Sequence, residues 1–137
     1  MKENIRFLIF IIGMLLATHN IYSQRIFNSH GRQIGRVDNG RFYDGNSRLI
    51  GRLDNDRLFD GHGRQIGRVD QERLFDGHGR LLGRVDENRL YDSRGRLIGR
   101  LNGNQLYDGH GRQIGRSDEL DQLEIILFFY FYWPGNL

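Results

Sequence analysis

Hydrophobic and polar positions recur along this chain with a period of sixteen residues. Residues 59–74 read FDGHGRQIGRVDQERL, and residues 75–90 repeat this pattern almost residue for residue. The same frame runs back to Phe27 and forward to Gln122, and its six copies begin at aromatic residues: Phe27, Tyr43, Phe59, Phe75, Tyr91 and Tyr107. A period of sixteen is too short for a helical pair, and it suits two short strands and two turns.

The first turn of each copy is built on aspartate and glycine, as in the Asp-Gly-His-Gly of residues 60–63. Glycine supplies a positive φ, and the aspartate side chain can accept hydrogen bonds from nearby backbone. The first copy carries Asn28 at this position, and the others carry Asp44, Asp60, Asp76, Asp92 and Asp108. We interpret these aspartates as structural, because they recur in every later copy and match no calcium-loop pattern.

A glycine recurs inside the second strand of every copy, at Gly35, Gly51, Gly67, Gly83, Gly99 and Gly115. Strict alternation would place Ile66 and Val69 on opposite faces of the strand. A bulge at Gly67 would bring both side chains to one face, and glycine inside a strand often marks a bulge or bend. A bend in every copy would curve the sheet into a ring.

The sequence therefore predicts an all-β fold over residues 25–122: a closed, radially symmetric shallow barrel of six hairpins and about twelve short strands. Residues 25–28 would supply the outer strand of the first hairpin and pair with the strand at residues 112–117, which leaves no free edge. About eight strands give a barrel that its own side chains can fill. A ring of twelve leaves a lumen.

The C-terminal segment, residues 123–137, is the candidate to fill that lumen. Nine apolar or aromatic residues run without a break from Ile125 to Trp133 and end before Pro134. Nine residues are too few to cross a bilayer, but they can thread a shallow barrel as a helix or a strand. Contact with a membrane, contact between copies, or aggregation are the alternatives. We expect the plug to consist of Ile125, Leu127, Phe128, Phe129, Phe131 and Trp133.

Residues 1–23 have the order of a secretory signal peptide: Lys2 and Arg6, then the apolar residues 7–17, then a polar exit. The sequence predicts export from a bacterial-type cell, to the periplasm, the cell surface or the medium. An uncleaved anchor is the alternative. The chain has no cysteine, which excludes disulfides and thiolate metal sites.

The charges are interleaved rather than clustered. Twenty Lys and Arg face seventeen Asp and Glu, a net charge of +3. This pattern argues against nucleic acid, which needs a basic stripe. Arg64 and Arg68 are expected to pair with Asp60 and Asp70 between hairpins. A glycan or another anionic ligand bound on an arginine-rich rim is the alternative.

Histidine occupies one position of the first turn in four copies: His30, His62, His78 and His110. Equivalent side chains on neighbouring hairpins would lie roughly 10 Å apart, too far to share a zinc ion. We interpret them as turn residues; a ligand-binding or pH-responsive rim is the alternative. The sequence predicts no catalytic residue, metal site or cofactor, and no enzyme, because the serines lie in turns without a nucleophile-elbow context.

The aromatic-Asp-x-x-Gly-Arg-x-Ile-Gly-Arg motif and the aromatic tail resemble those of β-flower proteins, over residues 25–133. Proteins of this family are shallow, radially symmetric barrels in which each repeat is a hairpin, or petal. The family occurs with different petal numbers, and this sequence supports six. It has no assigned activity. β-flowers are similar in shape to the tubby C-terminal domain, a twelve-stranded barrel around a hydrophobic helix, and that similarity implies a membrane-lipid link.

A second resemblance is to the YD repeats of long bacterial surface proteins, carried by residues 91–97. From these observations we expect a monomeric, exported, non-catalytic structural or binding module with a membrane lipid as its partner. A glycan or anionic-ligand binder and a YD-repeat-like surface protein are the alternatives.

Overall fold

A computed structural model describes residues 24–118 and 122–133. The predicted signal peptide and the last four residues lie outside these ranges. Twelve short strands follow one another along the chain: β1 (Gln24–Asn28), β2 (Gln33–Asp38), β3 (Arg41–Asp44), β4 (Leu49–Asp54), β5 (Arg57–Asp60), β6 (Gln65–Asp70), β7 (Arg73–Asp76), β8 (Leu81–Asp86), β9 (Arg89–Asp92), β10 (Leu97–Asn102), β11 (Gln105–Asp108) and β12 (Gln113–Ser117).

The strands form a closed antiparallel barrel. Each strand pairs with its neighbours in the chain, and β1 pairs with β12 through Ile26 and Ser117. The predicted all-β ring of twelve strands is confirmed. Closure leaves no edge strand with unpaired backbone groups, which is the feature that makes open sheets prone to aggregation.

Each of the six hairpins whose strands are joined by the first turn of a repeat carries a bulge in its second strand. Leu58 pairs with Gly67 and Phe59 pairs with Gln65, so Ile66 has no residue opposite it. The same register shift occurs in all six hairpins. The additional residue is therefore Ile66, one position before the predicted Gly67. As predicted, Ile66 and Val69 both pack against the core, because a bulge changes the alternation of the strand.

Two kinds of turn lie at opposite ends of the barrel. Six equivalent turns, the first headed by Asn28 and the other five by aspartate, form what we call the Asp-turn end; they span residues 28–32, 44–48, 60–64, 76–80, 92–96 and 108–112. Five two-residue turns, such as Asn39–Gly40, form the short-turn end. Asn39 and Gly40 have φ of 49° and 73°, the left-handed conformation of a type I′ hairpin.

The C-terminal segment lies inside the barrel as a plug. Helix α1 (Gln122–Leu127) continues as a π-helical turn (Phe128–Tyr132), and residues 125–129 are fully buried. A ring of strand side chains packs around it: Ile26, Phe42, Leu58, Leu74, Leu90 and Leu106. No helix within the described residues is long and apolar enough to cross a membrane.

Candidate functional site

Each turn aspartate organises its own turn through hydrogen bonds. In the third copy, the backbone N–H groups of His62 and Arg64 donate to Asp60 Oδ1 at 2.9 and 3.0 Å, and Arg64 Nε donates to Oδ2 at 2.8 Å. The same three bonds recur at Asp44, Asp76, Asp92 and Asp108. Because both carboxylate oxygens are engaged, these aspartates act as turn-forming residues.

These carboxylates predict that the free energy of unfolding falls in acid. Backbone N–H donation holds the pKa of each one below its ordinary value of 3.8, namely Asp44, Asp60, Asp76, Asp92 and Asp108. The unfolded chain therefore binds more protons than the native chain in this range. Their stabilisation is complete above the ordinary value, and it is lost as the pH falls through the lowered pKa values.

Urea unfolding between about pH 6 and pH 2 measures this effect. A chain carrying Asp60→Asn and Asp76→Asn keeps the Oδ1 acceptor, as Asn28 does in the first turn, and should show a shallower fall than the wild-type chain. An identical pH dependence in both chains would contradict the assignment.

The histidines contribute mainly their backbone to the turns, although Ser29 Oγ also contacts His30 Nδ1 at 3.4 Å within the first turn. His62 N–H donates to Asp60, and the side chains of His30, His62, His78 and His110 are exposed at the Asp-turn end. Within residues 24–118 and 122–133, no group of three or more His, Asp or Glu could hold a metal ion. Asn46 and Arg94 occupy the same position with the same backbone bond, so the turn does not require an imidazole.

Four of the six recurring strand glycines lie against the plug. A Cβ on Gly35 would be 2.5 Å from the Phe128 ring, and one on Gly67 would be 2.5 Å from the Phe131 ring. Gly51 and Gly115 lie in the same way against Tyr132 and Phe129, whereas a Cβ on Gly83 would meet the Tyr91 carbonyl, and Gly99 pairs with Leu90. The glycines thus give aromatic rings access to the backbone, a role that the bulge prediction did not include.

Two plug tyrosines fasten the plug to the barrel wall. Tyr130 donates its hydroxyl to the Leu82 carbonyl at 2.9 Å, and Tyr132 donates to the Phe59 carbonyl at 2.8 Å. Burial raises the pKa of both phenols. Tyr130, Tyr132 and the fully buried Ile126 were absent from the predicted plug set. Of the predicted set, Phe131 and Trp133 are only half-buried.

The outer wall carries a belt of arginines stacked on aromatic rings. The Arg68 guanidinium lies 4.2 Å from the centre of the Phe75 ring, its partner across the short turn. Equivalent stacks occur in every petal, and the last one joins Arg116 to Phe27 across the closure. Arg64 and Arg68 do not pair between hairpins as predicted: Arg64 pairs with Asp60 in its own turn, and Arg68 lies 3.6 Å from Asp70 in its own strand. Pairs between hairpins do occur elsewhere, from Arg73 to Asp70 at 3.8 Å and from Arg25 to Asp118 at 2.9 Å.

A pocket of about 310 Å³ lies at the Asp-turn end between the first two turns. The first turn and its strand contribute Asn28, Arg32, Gln33 and Ile34 to the lining, and the second turn contributes Asp44, Gly45 and Asn46. Trp133, at the end of the plug, completes the lining. The pocket therefore combines a guanidinium, three amides, a carboxylate and an indole.

A family model described as "5-fold beta-flower protein" matches residues 23–133. The chain belongs to the β-flower family. Neither the curated proteins nor the solved structures gave a match. The described part of this β-flower has six turns at the Asp-turn end and five two-residue turns at the other end. A sixth two-residue turn is missing because β1 and β12, which pair with each other, are the first and last strands of the described chain and no turn joins them.

Arg32 differs from the arginines at the equivalent position of the five other turns, which are Arg48, Arg64, Arg80, Arg96 and Arg112. Those arginines pair with the turn aspartate through Nε at 2.7–3.1 Å. Asn28 carries an amide NH₂ group in place of the second oxygen of aspartate, and its Oδ1 already accepts two backbone N–H groups. Among the residues that the structure describes, none pairs a carboxylate with Arg32. This difference is visible in the sequence, because five of the six equivalent turn positions carry an aspartate and the sixth carries Asn28.

Proposed function

We propose that this β-flower is an exported, non-catalytic binding module that takes up an anionic ligand in the pocket at Arg32. The observation that carries the proposal is that Arg32, in the pocket lining, forms no ion pair with a carboxylate of the described residues, because the nearby Asp44 is already paired with Arg48. Arginine presents several N–H donors in a planar fork, which matches carboxylate and phosphate groups. The five arginines equivalent to Arg32 are already paired with their turn aspartates, so the ligand has one site of this kind rather than a ring of six.

Two further observations support a binding role rather than a catalytic one. The repeated aspartates are committed to turn hydrogen bonds, and hydrogen bonding holds them ionised, whereas a general acid needs a raised pKa.

Export is supported by the order of residues 1–23. Closure of the barrel on itself supports a monomer, because no strand edge is offered to a second copy.

The test is a titration of the mature chain with acetate and inorganic phosphate at low salt, followed by nitrogen–proton NMR. The signals of Arg32 and of the Trp133 indole should shift saturably. Arg32→Gln should weaken binding by about tenfold or more, the value of a charge-assisted hydrogen bond. Arg64→Gln is the matched control, since Arg64 is paired with Asp60, and it should leave binding unchanged. Equal losses in both variants, or no saturable shift, would refute the proposal.

A membrane surface is a second candidate, favoured by exposed leucines on the outer wall. Leu49, Leu81 and Leu97 are 46%, 43% and 44% exposed. Leu81 pairs with Phe75 and Leu97 with Tyr91, and both of these rings carry stacked arginines. Apolar side chains beside cations suit an anionic lipid surface.

Sedimentation with vesicles that contain or lack phosphatidylglycerol tests this candidate. The variant Leu81→Gln/Leu97→Gln is compatible with the fold, because Gln33 and Gln65 occupy the same position in other petals. It should bind acidic vesicles less than the wild-type chain does. No binding to either kind of vesicle would remove the membrane candidate; equal binding of both chains would exclude the leucines as its contact, and equal binding to neutral vesicles would exclude a preference for anionic lipid.

A further inference from the structure

We infer that the anionic ligand is a sugar ring that carries a carboxylate or a phosphate group. This inference rests on the proposed anion site at Arg32. The first observation is Trp133, a half-buried indole in the lining of the pocket, with the Phe128 ring stacked at 6.5 Å behind it. An indole offers a large flat apolar surface held at a fixed position. Such a surface fits the C–H face of a sugar ring, whereas a small inorganic anion makes no use of it.

The second observation is that, among the six turns of the Asp-turn end, amides replace charged or ring side chains only in the two turns around this pocket. Asn28 stands where the five other copies have aspartate, and Asn46 stands where four copies have histidine. Both residues line the pocket, and so does Gln33. An amide donates and accepts hydrogen bonds at once, as a sugar hydroxyl does. Asn28 Oδ1 is occupied by the turn, which leaves its NH₂ group as the donor.

The third observation is the carboxylate of Asp44 in the same lining. It is paired with Arg48 at 3.1 Å, and it would repel a bare anion that filled the pocket. A ligand with an anionic group at Arg32 and hydroxyl donors towards Asp44 would suit both the guanidinium and the carboxylate. The volume of about 310 Å³ is at the small end of the range for ligand pockets, roughly 300–1,000 Å³. The site therefore suits one sugar unit.

The test uses the fluorescence of Trp133, the one tryptophan of the chain. The mature protein is titrated with galacturonate, glucose 6-phosphate, glucose, acetate and inorganic phosphate. We expect a saturable change with at least one of the two acidic sugars, at a Kd about tenfold or more below those of glucose, acetate and phosphate. The two acidic sugars tell a carboxylate ligand from a phosphate ligand.

The outcomes separate this inference from the proposed function. If acetate or phosphate binds as tightly as the acidic sugars, the sugar inference is wrong and the anion site stands. If glucose binds as tightly as the acidic sugars, the anionic group is not recognised. If none of the five compounds binds, the sugar inference and the proposed function both fail.

A substitution that restores the repeat gives a test without damage to the fold. Asn28→Asp creates the turn found in the five other petals, so the new carboxylate should pair with Arg32 as Asp60 pairs with Arg64. Binding of the acidic sugar should fall about tenfold or more while the melting temperature is kept or raised. The control is Asp60→Asn, which frees Arg64 away from Trp133 and should leave binding unchanged. Retained binding in Asn28→Asp would overturn the inference.

Discussion

A chain that ends at Asp118 is expected to lose its cooperative unfolding transition, because the barrel would then have no plug. Residues 125–129 are fully buried inside the ring. Burial of one large apolar side chain stabilises a protein by about 1.5–3 kcal/mol, so five of them contribute on the order of 10 kcal/mol. That amount is comparable with the whole stability of a typical domain, about 5–15 kcal/mol. Urea unfolding followed by near-ultraviolet circular dichroism measures the difference.

Single substitutions serve as controls for the truncation. Phe129→Ala should lower the free energy of unfolding by about 3–5 kcal/mol, because the ring is fully enclosed. Trp133→Ala should cost less, because its ring is half-buried at the Asp-turn end. A truncated chain that unfolds as sharply as the full chain would mean that the strands stabilise themselves and that the plug is dispensable.

The second large effect is expected from Gly35→Ala, a change of one methyl group. The new Cβ would lie 2.5 Å from two atoms of the Phe128 ring and 2.7 Å from the Tyr43 carbonyl oxygen. Phe128 is fully buried, so a shift of its ring would disturb the side chains packed around it. Overpacking of a core costs about 1–3 kcal/mol, and we expect the upper part of that range. Thermal or urea unfolding of the purified variant measures it.

A double-mutant cycle isolates the cause of that loss. Phe128→Leu removes the ring atoms that the new methyl group would meet, at the cost of a cavity. If the clash explains the loss, Gly35→Ala/Phe128→Leu should be more stable than the sum of the single losses predicts. Simple additivity would instead assign the loss to the strand backbone near Tyr43.

Features that repeat locally could be predicted from the sequence. The sixteen-residue period and the Asp-Gly turns determine strands, turns and closure, because each depends on residues close together in the chain. The bulge was predicted one residue late, at Gly67 rather than Ile66. The register of both strands decides which residue is left without a partner, and the glycine alone does not carry that information.

The stacking of Arg68 on Phe75 could have been predicted by counting register. A two-residue turn at residues 71–72 places Asp70 opposite Arg73 and, two residues further, Arg68 opposite Phe75. The expectation of Arg–Asp pairing between hairpins overlooked this geometry. Arg64 pairs within its own turn instead, because an arginine four residues beyond an aspartate in the same turn lies within reach of its carboxylate.

The contacts between strand glycines and plug rings, and the pocket, could be predicted only in part. The replacements at Asn28 and Asn46 are visible in the sequence. Their meaning depends on Trp133, and its position follows from the path of the plug through the lumen rather than from any local pattern. The same holds for Gly35, whose contact with Phe128 joins segments far apart in the chain.

Closure of β1 on β12 limits how the number of repeats can change in evolution. Duplication of one sixteen-residue unit adds a whole petal and widens the circumference, since a closed antiparallel ring gains two strands at a time. A wider ring would move Gly35, Gly67 and Gly115 away from the aromatic rings that they contact. A lineage that gains or loses a petal must therefore change its C-terminal segment as well. In related chains, petal number and the bulk of this segment should be inherited as a pair.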